Sequence, residues 1–270
     1  MKIKASDREA LRQQFNAAVP FRFIKTDCFL EPLFATEVAA AYPSFEAAMK
    51  QGKTFTAVNE RRKIQVTDSK LFPAPVAELN QALSSANFLS DLSYVTGIPN
   101  LLADDNLIGG GMHITGPGGR LDVHVDFNLI QDRKLHRRLN LLIYLNPVWD
   151  DAWGGHIQLW DKDVKRCQQS FAPKLNRCLI FETSDISFHG VVPVSPAAAY
   201  PRISFAAYYY TREAPPNWDG EFHSTIFKAR PEERLRGMII MPAAKMQERL
   251  LFGLRKVKRA AKILARQGRQ

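Results

Sequence analysis

The sequence predicts an α+β protein built on a double-stranded β-helix, or jelly roll, of antiparallel strands, with buttressing N-terminal helices and a C-terminal amphipathic helix. Three observations lead there. From Asn106 to Tyr210, short apolar runs alternate with Gly, Pro and Asp turns, the pattern of two packed antiparallel sheets. Residues 6–97 carry helical patterning interrupted by a few extended segments. Near the end, apolar residues recur at spacings of three and four within a basic background. The expected organisation is a support region at 1–104, the jelly-roll core at 105–212 and a basic extension at 213–270.

The elements follow in order. Ser6 suits the N-cap of a helix running to about Ala18, with Glu9 three residues on as its capping-box partner. Phe21 to Phe29 alternates as a strand does, and Glu31 to Ala41 reads as a helix ending before Pro43. Residues 54–67 read as extended. Residues 74–97 suit two helices stopped by Gly97. Gly109-Gly110-Gly111 reads as a strand distortion and Gly116-Pro117-Gly118-Gly119 as a hairpin turn. Neither has the spacing of a phosphate-binding loop. Ala214-Pro215-Pro216-Asn217 marks the end of the core, and no internal repeat is evident.

Composition narrows the class. A chain of 270 residues with 46% hydrophobic content can bury a sizeable core. No apolar run approaches the roughly 20 residues of a membrane span, and the charged N-terminus does not read as a signal peptide. Cys28, Cys167 and Cys178 are odd in number and lack a C-x-x-C pair, which argues against a disulfide framework or structural zinc and for a cytoplasmic setting. The net charge of +10 is unevenly spread. Residues 228–270 carry thirteen Lys/Arg and three Glu, and the rest of the chain is neutral. Nucleic acid is therefore not an expected partner.

The C-terminal stripe consists of Met246, Leu250, Leu254, Val257, Ala261 and Leu264, with Arg249, Arg255, Lys256, Lys258, Arg259, Lys262 and Arg266 around it. The favoured reading is a helix packed on its own core or on the mate of a homodimer. The sharper reading is peripheral contact with an anionic membrane through residues 243–267.

The chemistry concentrates elsewhere. In Leu121-Asp122-Val123-His124-Val125-Asp126-Phe127, His124 and Asp126 share one strand face. A second strand bringing His189 alongside completes two imidazoles and a carboxylate. That set grips one face of a metal and leaves the opposite positions open, as non-haem Fe(II) sites do. Arg202 opens the strand Arg202-Ile203-Ser204, where a planar cation suits a carboxylate. The alternative is a structural Arg and unrelated histidines. His156 is open to a substrate-facing, surface or core role, and His136 and His223 sit in polar surroundings that suggest solvation. Tyr209 is expected to point away from Tyr208 and Tyr210, and Trp149, Trp153 and Trp160 to cluster under a long loop or as a lid.

Three ordered blocks resemble a known family. They are Thr115-Gly116-Pro117-Gly118 leading to His124 and Asp126, then Arg137 to Asn146 closing at Gly154-Gly155-His156-Ile157-Gln158-Leu159-Trp160, then Pro173 through His189 to Arg202 and the tyrosine run. Residues 105–212 thus resemble the Fe(II)/2-oxoglutarate-dependent dioxygenases, in their prolyl 4-hydroxylase-like branch. The resemblance implies Fe(II) on His124, Asp126 and His189, with 2-oxoglutarate as cosubstrate, O2 as oxidant and ascorbate as an accessory reductant. It implies that Arg202 and Ser204 hold the far carboxylate of 2-oxoglutarate and places Tyr144 at a carboxylate-contacting tyrosine. Asn140 and Leu142 share the parity of Tyr144, and His113 pairs in parity with Thr115, so all four are expected to line the cosubstrate pocket. The family usually carries Tyr near Thr115, a departure at that contact. A retained Asp126 argues for hydroxylation over halogenation, because related iron halogenases lack that carboxylate. The expected reaction is hydroxylation of an unactivated C–H bond, on a prolyl residue or a small molecule such as an amino acid or sugar derivative, with release of succinate and CO2. Two other readings stand beside it: a cupin-type metal dioxygenase with no use for 2-oxoglutarate, and an interaction module that has lost catalysis.

Overall fold

The computed structural model describes residues 2–216, 218–233 and 235–243. The chain divides into two compact units, Met1–Lys228 and Ala229–Gln270. In the first, the elements run α1 (Arg8–Ala17), β1 (Phe23–Thr26), α2 (Pro32–Ala40), α3 (Phe45–Gln51), β2 (Lys53–Thr56) and β3 (Glu60–Val66). Helices α4 (Ala74–Leu83) and α5 (Ala86–Thr96) follow, then β4 (Leu102–Ala103), β5 (Gly111–Val125), β6 (Leu129–Ile130) and β7 (Leu135–Tyr144). The remainder is β8 (Ile157–Trp160), β9 (Cys167–Phe171), β10 (Arg177–Glu182), β11 (His189–Val191), β12 (Arg202–Thr211) and β13 (Ile226–Lys228).

Local signals account for the helix ends. Asp7 rather than Ser6 caps α1, its carboxylate accepting from the N–H groups of Glu9 and Ala10. An acceptor one residue later reaches both orphan donors at once. Helix α3 was not foreseen, although Ser44 caps it by accepting from Ala47 N–H at 3.1 Å. Gly97 stops α5 in the left-handed conformation at φ 70°, as expected. The strand expected over Phe21–Phe29 is confined to β1.

The strands form one continuous curled antiparallel sheet, in the order β1-β10-β7-β12-β5-β11-β8-β9. This is the expected jelly roll of two packed antiparallel halves, joined because β5 belongs to both. Its first part pairs with β12 and β3 through Gly111 to Thr115, and its second with β11 and β13 through Leu121 to Val125. Between them, Gly116–Gly119 bends the strand without folding it back as a hairpin. A Cβ on Gly119 would lie 2.3 Å from Thr115 Cγ2 and 2.7 Å from the Gly116 carbonyl oxygen, so the bend needs glycine there.

The main core lies between the helices and the back of this sheet. Phe15, Val38, Leu79 and Leu83 from the helices meet Ile114, Leu141, Phe205 and Tyr209 from the strands. Each fully buried Leu or Phe of this kind contributes about 1.5–3 kcal/mol. Residues 1–104 and the jelly roll therefore share one core, and β2 and β3 extend the same sheet. Tyr209 enters this core, whereas Tyr208 and Tyr210 pack with Ile130 and Leu135 on the other face, as strand alternation requires.

In the second unit, Arg236–Ile240 forms a π-helical turn. The apolar stripe from Met246 to Leu264, and with it the membrane and dimer expectations, lies outside the described residues. Among the described residues, no helix is long and apolar enough to cross a membrane.

Candidate active site

His189 begins β11 directly opposite His124 of β5, and the two imidazole centroids lie 4.3 Å apart. Asp126 follows the end of β5, with carboxylate oxygens 3.7 Å from His124 Nε2 and 3.5 Å from His189 Nε2. The three residues offer ligand atoms all within 4.8 Å of one another. Each Nδ1 is engaged with a carbonyl two residues upstream, His124 with Asp122 at 2.8 Å and His189 with Ser187 at 3.0 Å. That fixes the tautomer, so both Nε2 lone pairs point at the carboxylate.

Electrostatics prepare the same set. Burial lowers the pKa of His124, and burial with the neighbouring His124 brings His189 down to about 3, so both rings are neutral at pH 7. Burial alone would raise the Asp126 carboxyl. Arg137, the two imidazoles and the Asn140 amide outweigh it and hold Asp126 well below the usual carboxylate range. Two neutral nitrogens and an ionised oxygen fit a divalent transition metal without a proton having to leave.

Behind the metal-binding set, three strands in register build a pocket floor. Arg202 of β12 sits opposite Thr115 of β5, and Ser204 lies between His113 of β5 and Tyr144 of β7. Arg202 and Ser204 are buried. Arg202 Nε donates to the Gly155 carbonyl at 2.8 Å, and the guanidinium carbon lies 4.9 Å from the Tyr144 ring centroid. Among the described residues, no carboxylate forms an ion pair with Arg202, and the Tyr144 hydroxyl is buried without a hydrogen-bond partner. Burial pushes that hydroxyl up to about 12, so it stays a proton donor. A buried cation beside an orphaned donor is costly unless an anion arrives. The pair fits the distal carboxylate of a dicarboxylate cosubstrate.

His113, Thr115, Asn140, Leu142, Arg202 and Ser204 all line one cavity of about 280 Å³ together with His124, Asp126 and His189. Tyr144 is set behind this lining, packed with Phe181 and Leu179. Asn140 faces the cavity, but its amide donates to Asp126 Oδ2 at 2.7 Å and its carbonyl accepts from Arg137. His113 is neutral because it is buried, and its Nε2 lies 2.9 Å from the Gln65 amide nitrogen and 3.0 Å from the Gly109 carbonyl.

Other expectations resolve differently. His156 does not line the cavity; it approaches Asp151 at 3.5 Å within its own loop. His136 is buried against Trp218, with ring centroids 4.5 Å apart, because the chain after β12 covers it. His223 is partly covered and contacts Asp185 at 2.9 Å. Trp149 and Trp153 meet edge to face at 5.4 Å and brace the loop that presents Gly155 to Arg202. Trp160 is apart from them, among Val123, Val125 and Phe188.

Several cavity residues were not foreseen. Lys53, Phe55, Glu60, Lys63 and Gln65 come from β2 and β3, and Thr225 and Phe227 from beyond β12. Phe227 pairs with His124 across β13 and β5, its ring 5.3 Å from the imidazole. Arg137 and Tyr208 also face the cavity.

Comparison with known proteins agrees with this geometry. Residues 110–210 match the family described as the 2OG-Fe(II) oxygenase superfamily. Mouse prolyl 3-hydroxylase OGFOD1 is 34% identical over 90 residues, covering 32% of this chain and 16% of that protein. Among solved structures, a Trichoplax adhaerens prolyl hydroxylase in complex with a hypoxia inducible factor peptide fragment superposes with a TM-score of 0.55 at 18% identity, covering 75% of this chain and 88% of that one. A Pseudomonas putida prolyl-4-hydroxylase gives a TM-score of 0.50 at 14% identity, covering 74% and 98%. Residues 110–210 are thus a domain of the 2OG-Fe(II) oxygenase superfamily. The likeness to the solved structures is one of fold.

Proposed function

We propose that this protein is an Fe(II)- and 2-oxoglutarate-dependent dioxygenase that hydroxylates an unactivated C–H bond. One observation carries the reading: two neutral imidazoles and an ionised carboxylate share a cavity with a buried Arg202 that has no carboxylate partner among the described residues. A cupin-type enzyme working without 2-oxoglutarate has no use for that cation.

His124, Asp126 and His189 hold the metal on one side. Arg202 grips the distal carboxylate of 2-oxoglutarate with a planar fork, Tyr144 and Ser204 donate to the same group, and His113, Thr115 and Leu142 wall its chain. When bound, Fe(II) and 2-oxoglutarate supply the oxidising power that places one atom of O2 on the substrate and the other in succinate, with loss of CO2. Phe55, Phe127 and Phe227 place aromatic rings in the cavity lining, which helps to shield the reacting centre from water. The substrate is a prolyl residue or a small molecule such as an amino acid or sugar derivative. The relatives named as prolyl hydroxylases support the first.

The reading extends to setting and partners. The exposed Cys28 and Cys167 and a ferrous site suit a reducing cytoplasm. The basic segment 243–267 is proposed to pack within the protein or on a dimer mate, the competing role being contact with an anionic membrane surface.

The test is a survey of prolyl peptides, amino acids and sugar derivatives with Fe(II), 2-oxoglutarate and air. Succinate formed in equal amount to a product heavier by one oxygen supports the proposal. Substrate oxidation with no consumption of 2-oxoglutarate would overturn it in favour of the cupin-type reading.

A further inference from the structure

Arg137 is a buried cation at the edge of the iron cavity, only 3% exposed. Its guanidinium lies 3.6 Å from the Tyr208 ring centroid and 4.7 Å from that of Phe127. Nη2 stands 3.2 Å from Asp126 Oδ2, and Nε and Nη2 donate to the Asn140 carbonyl at 2.9 and 2.7 Å. The Asn140 amide in turn donates to that same oxygen, Oδ2, at 2.7 Å. One carboxylate oxygen therefore carries an amide and a guanidinium. That oxygen also faces His189 Nε2 at 3.5 Å, whereas Oδ1 meets no donor among the described residues and faces only His124 Nε2, at 3.7 Å.

From this asymmetry, and on the basis of the iron-site reading above, we propose that Arg137 is a positioning residue that commits Oδ2 of Asp126 so that the carboxylate gives the metal a single oxygen. A free carboxylate can chelate through both oxygens and so take a second coordination position. Here the second oxygen is held by two donors at once, and the position it would take stays open to cosubstrate. Desolvating an arginine solely to fill space is costly. The two aromatic faces and the Asn140 carbonyl hold the guanidinium where its charge reaches Asp126.

The sequence concealed this role. Parity along β7 puts Arg137 on the face opposite Asn140, Leu142 and Tyr144. The register shifts between Tyr209 and Tyr210, where Tyr209 pairs with Leu139 and Tyr210 with Arg137. The extra residue, Arg138, forms a bulge that turns Arg137 back to the cavity side.

The test is an anaerobic titration of the Fe(II)-loaded full-length protein with 2-oxoglutarate, read by the metal-to-ligand absorption of the chelate. Wild type, Arg137→Met, Arg137→Lys, Asn140→Ala and the double variant Arg137→Met with Asn140→Ala are compared, with iron content and thermal melts recorded for each. Arg137→Met and Asn140→Ala are expected to load one iron per chain at saturating Fe(II), yet to need at least about tenfold more 2-oxoglutarate for half-saturation, within the range typical for partners of metal ligands. Arg137→Lys restores the charge without the fork and falls between. The double variant is expected to lose less than the product of the two single effects, because both act on one oxygen. If Arg137→Met does not fold, Asn140→Ala decides. Wild-type titrations in the variants would overturn the proposal, and so would complete loss of iron, which would make Arg137 a determinant of metal retention. Absence of the chelate absorption in the wild type would instead sink the oxygenase reading, and this proposal with it.

Discussion

Arg202 and Tyr144 face each other across β12 and β7, the guanidinium carbon 4.9 Å from the ring centroid, and the Tyr144 hydroxyl beside that cation has no hydrogen-bond partner. Burial pulls the guanidinium below its ordinary pKa and pushes the phenol up. Both groups are desolvated in advance for an anion that the described protein residues do not supply.

Arg202→Ala is therefore expected to weaken 2-oxoglutarate binding by about 2–5 kcal/mol, the usual loss on truncating one partner of a buried charge pair. Tyr144→Phe is expected to cost about 1 kcal/mol, and Arg202→Lys to recover only part of the loss. Without cosubstrate the order reverses: Arg202→Met removes an uncompensated buried charge and leaves the melting temperature equal or higher. Anaerobic calorimetry and thermal melts measure the two halves. An unchanged affinity in Arg202→Ala would overturn the assignment.

For the metal, His124→Ala, Asp126→Ala and His189→Ala are each expected to abolish iron retention or turnover, while leaving the fold recognisable by circular dichroism. Iron content by atomic absorption, with succinate release, checks this. Occupancy and activity surviving all three changes would place the site elsewhere.

Acid sensitivity follows from the buried imidazoles. His113, His124, His136 and His189 are all lowered from an ordinary value of 6.5, chiefly by burial. The folded chain holds them neutral while the unfolded chain protonates them. Stability is thus fully present above pH 6.5 and is lost as the pH falls, for His189 over the window from 6.5 to about 3. Melting temperatures of the metal-free protein should decline through that window, and His113→Asn should decline less steeply than wild type. A flat profile would contradict the neutral assignments.

The parts of the site that depend on local pattern were legible in the sequence. His124, Asp126, Arg202 and Ser204 are read by strand parity alone, and the structure brings them into one cavity with His189. Parts that depend on register were not. Arg137 reaches the cavity through a bulge, and Lys63, Gln65 and Phe227 through pairings of β3 and β13 with β5 that span long stretches of chain. Helix α3 escaped notice because its seven residues are too few for a clear period, though Ser44 marked its start. His136 looked solvated from its charged neighbours, and only the return of the chain at Trp218 buries it.

The C-terminal segment is separable in test as well as in sequence. A chain ending at Lys228 keeps every residue that lines the cavity, and it is expected to bind iron and 2-oxoglutarate as the full chain does. If the tail meets membranes, salt-sensitive binding to anionic vesicles disappears with it, at about 1 kcal/mol per basic residue near the surface. If it mediates a dimer, sedimentation changes instead and vesicle binding is absent throughout. A truncation that alters neither would rule out both roles.

The most direct test is an anaerobic crystal structure of the protein with Fe(II) and 2-oxoglutarate. The account predicts one iron held by His124 Nε2, His189 Nε2 and a single oxygen of Asp126. It also predicts the distal carboxylate of 2-oxoglutarate on the Arg202 guanidinium, within hydrogen-bond reach of the Tyr144 hydroxyl. Iron bound away from these three residues, or 2-oxoglutarate bound without Arg202, would contradict it.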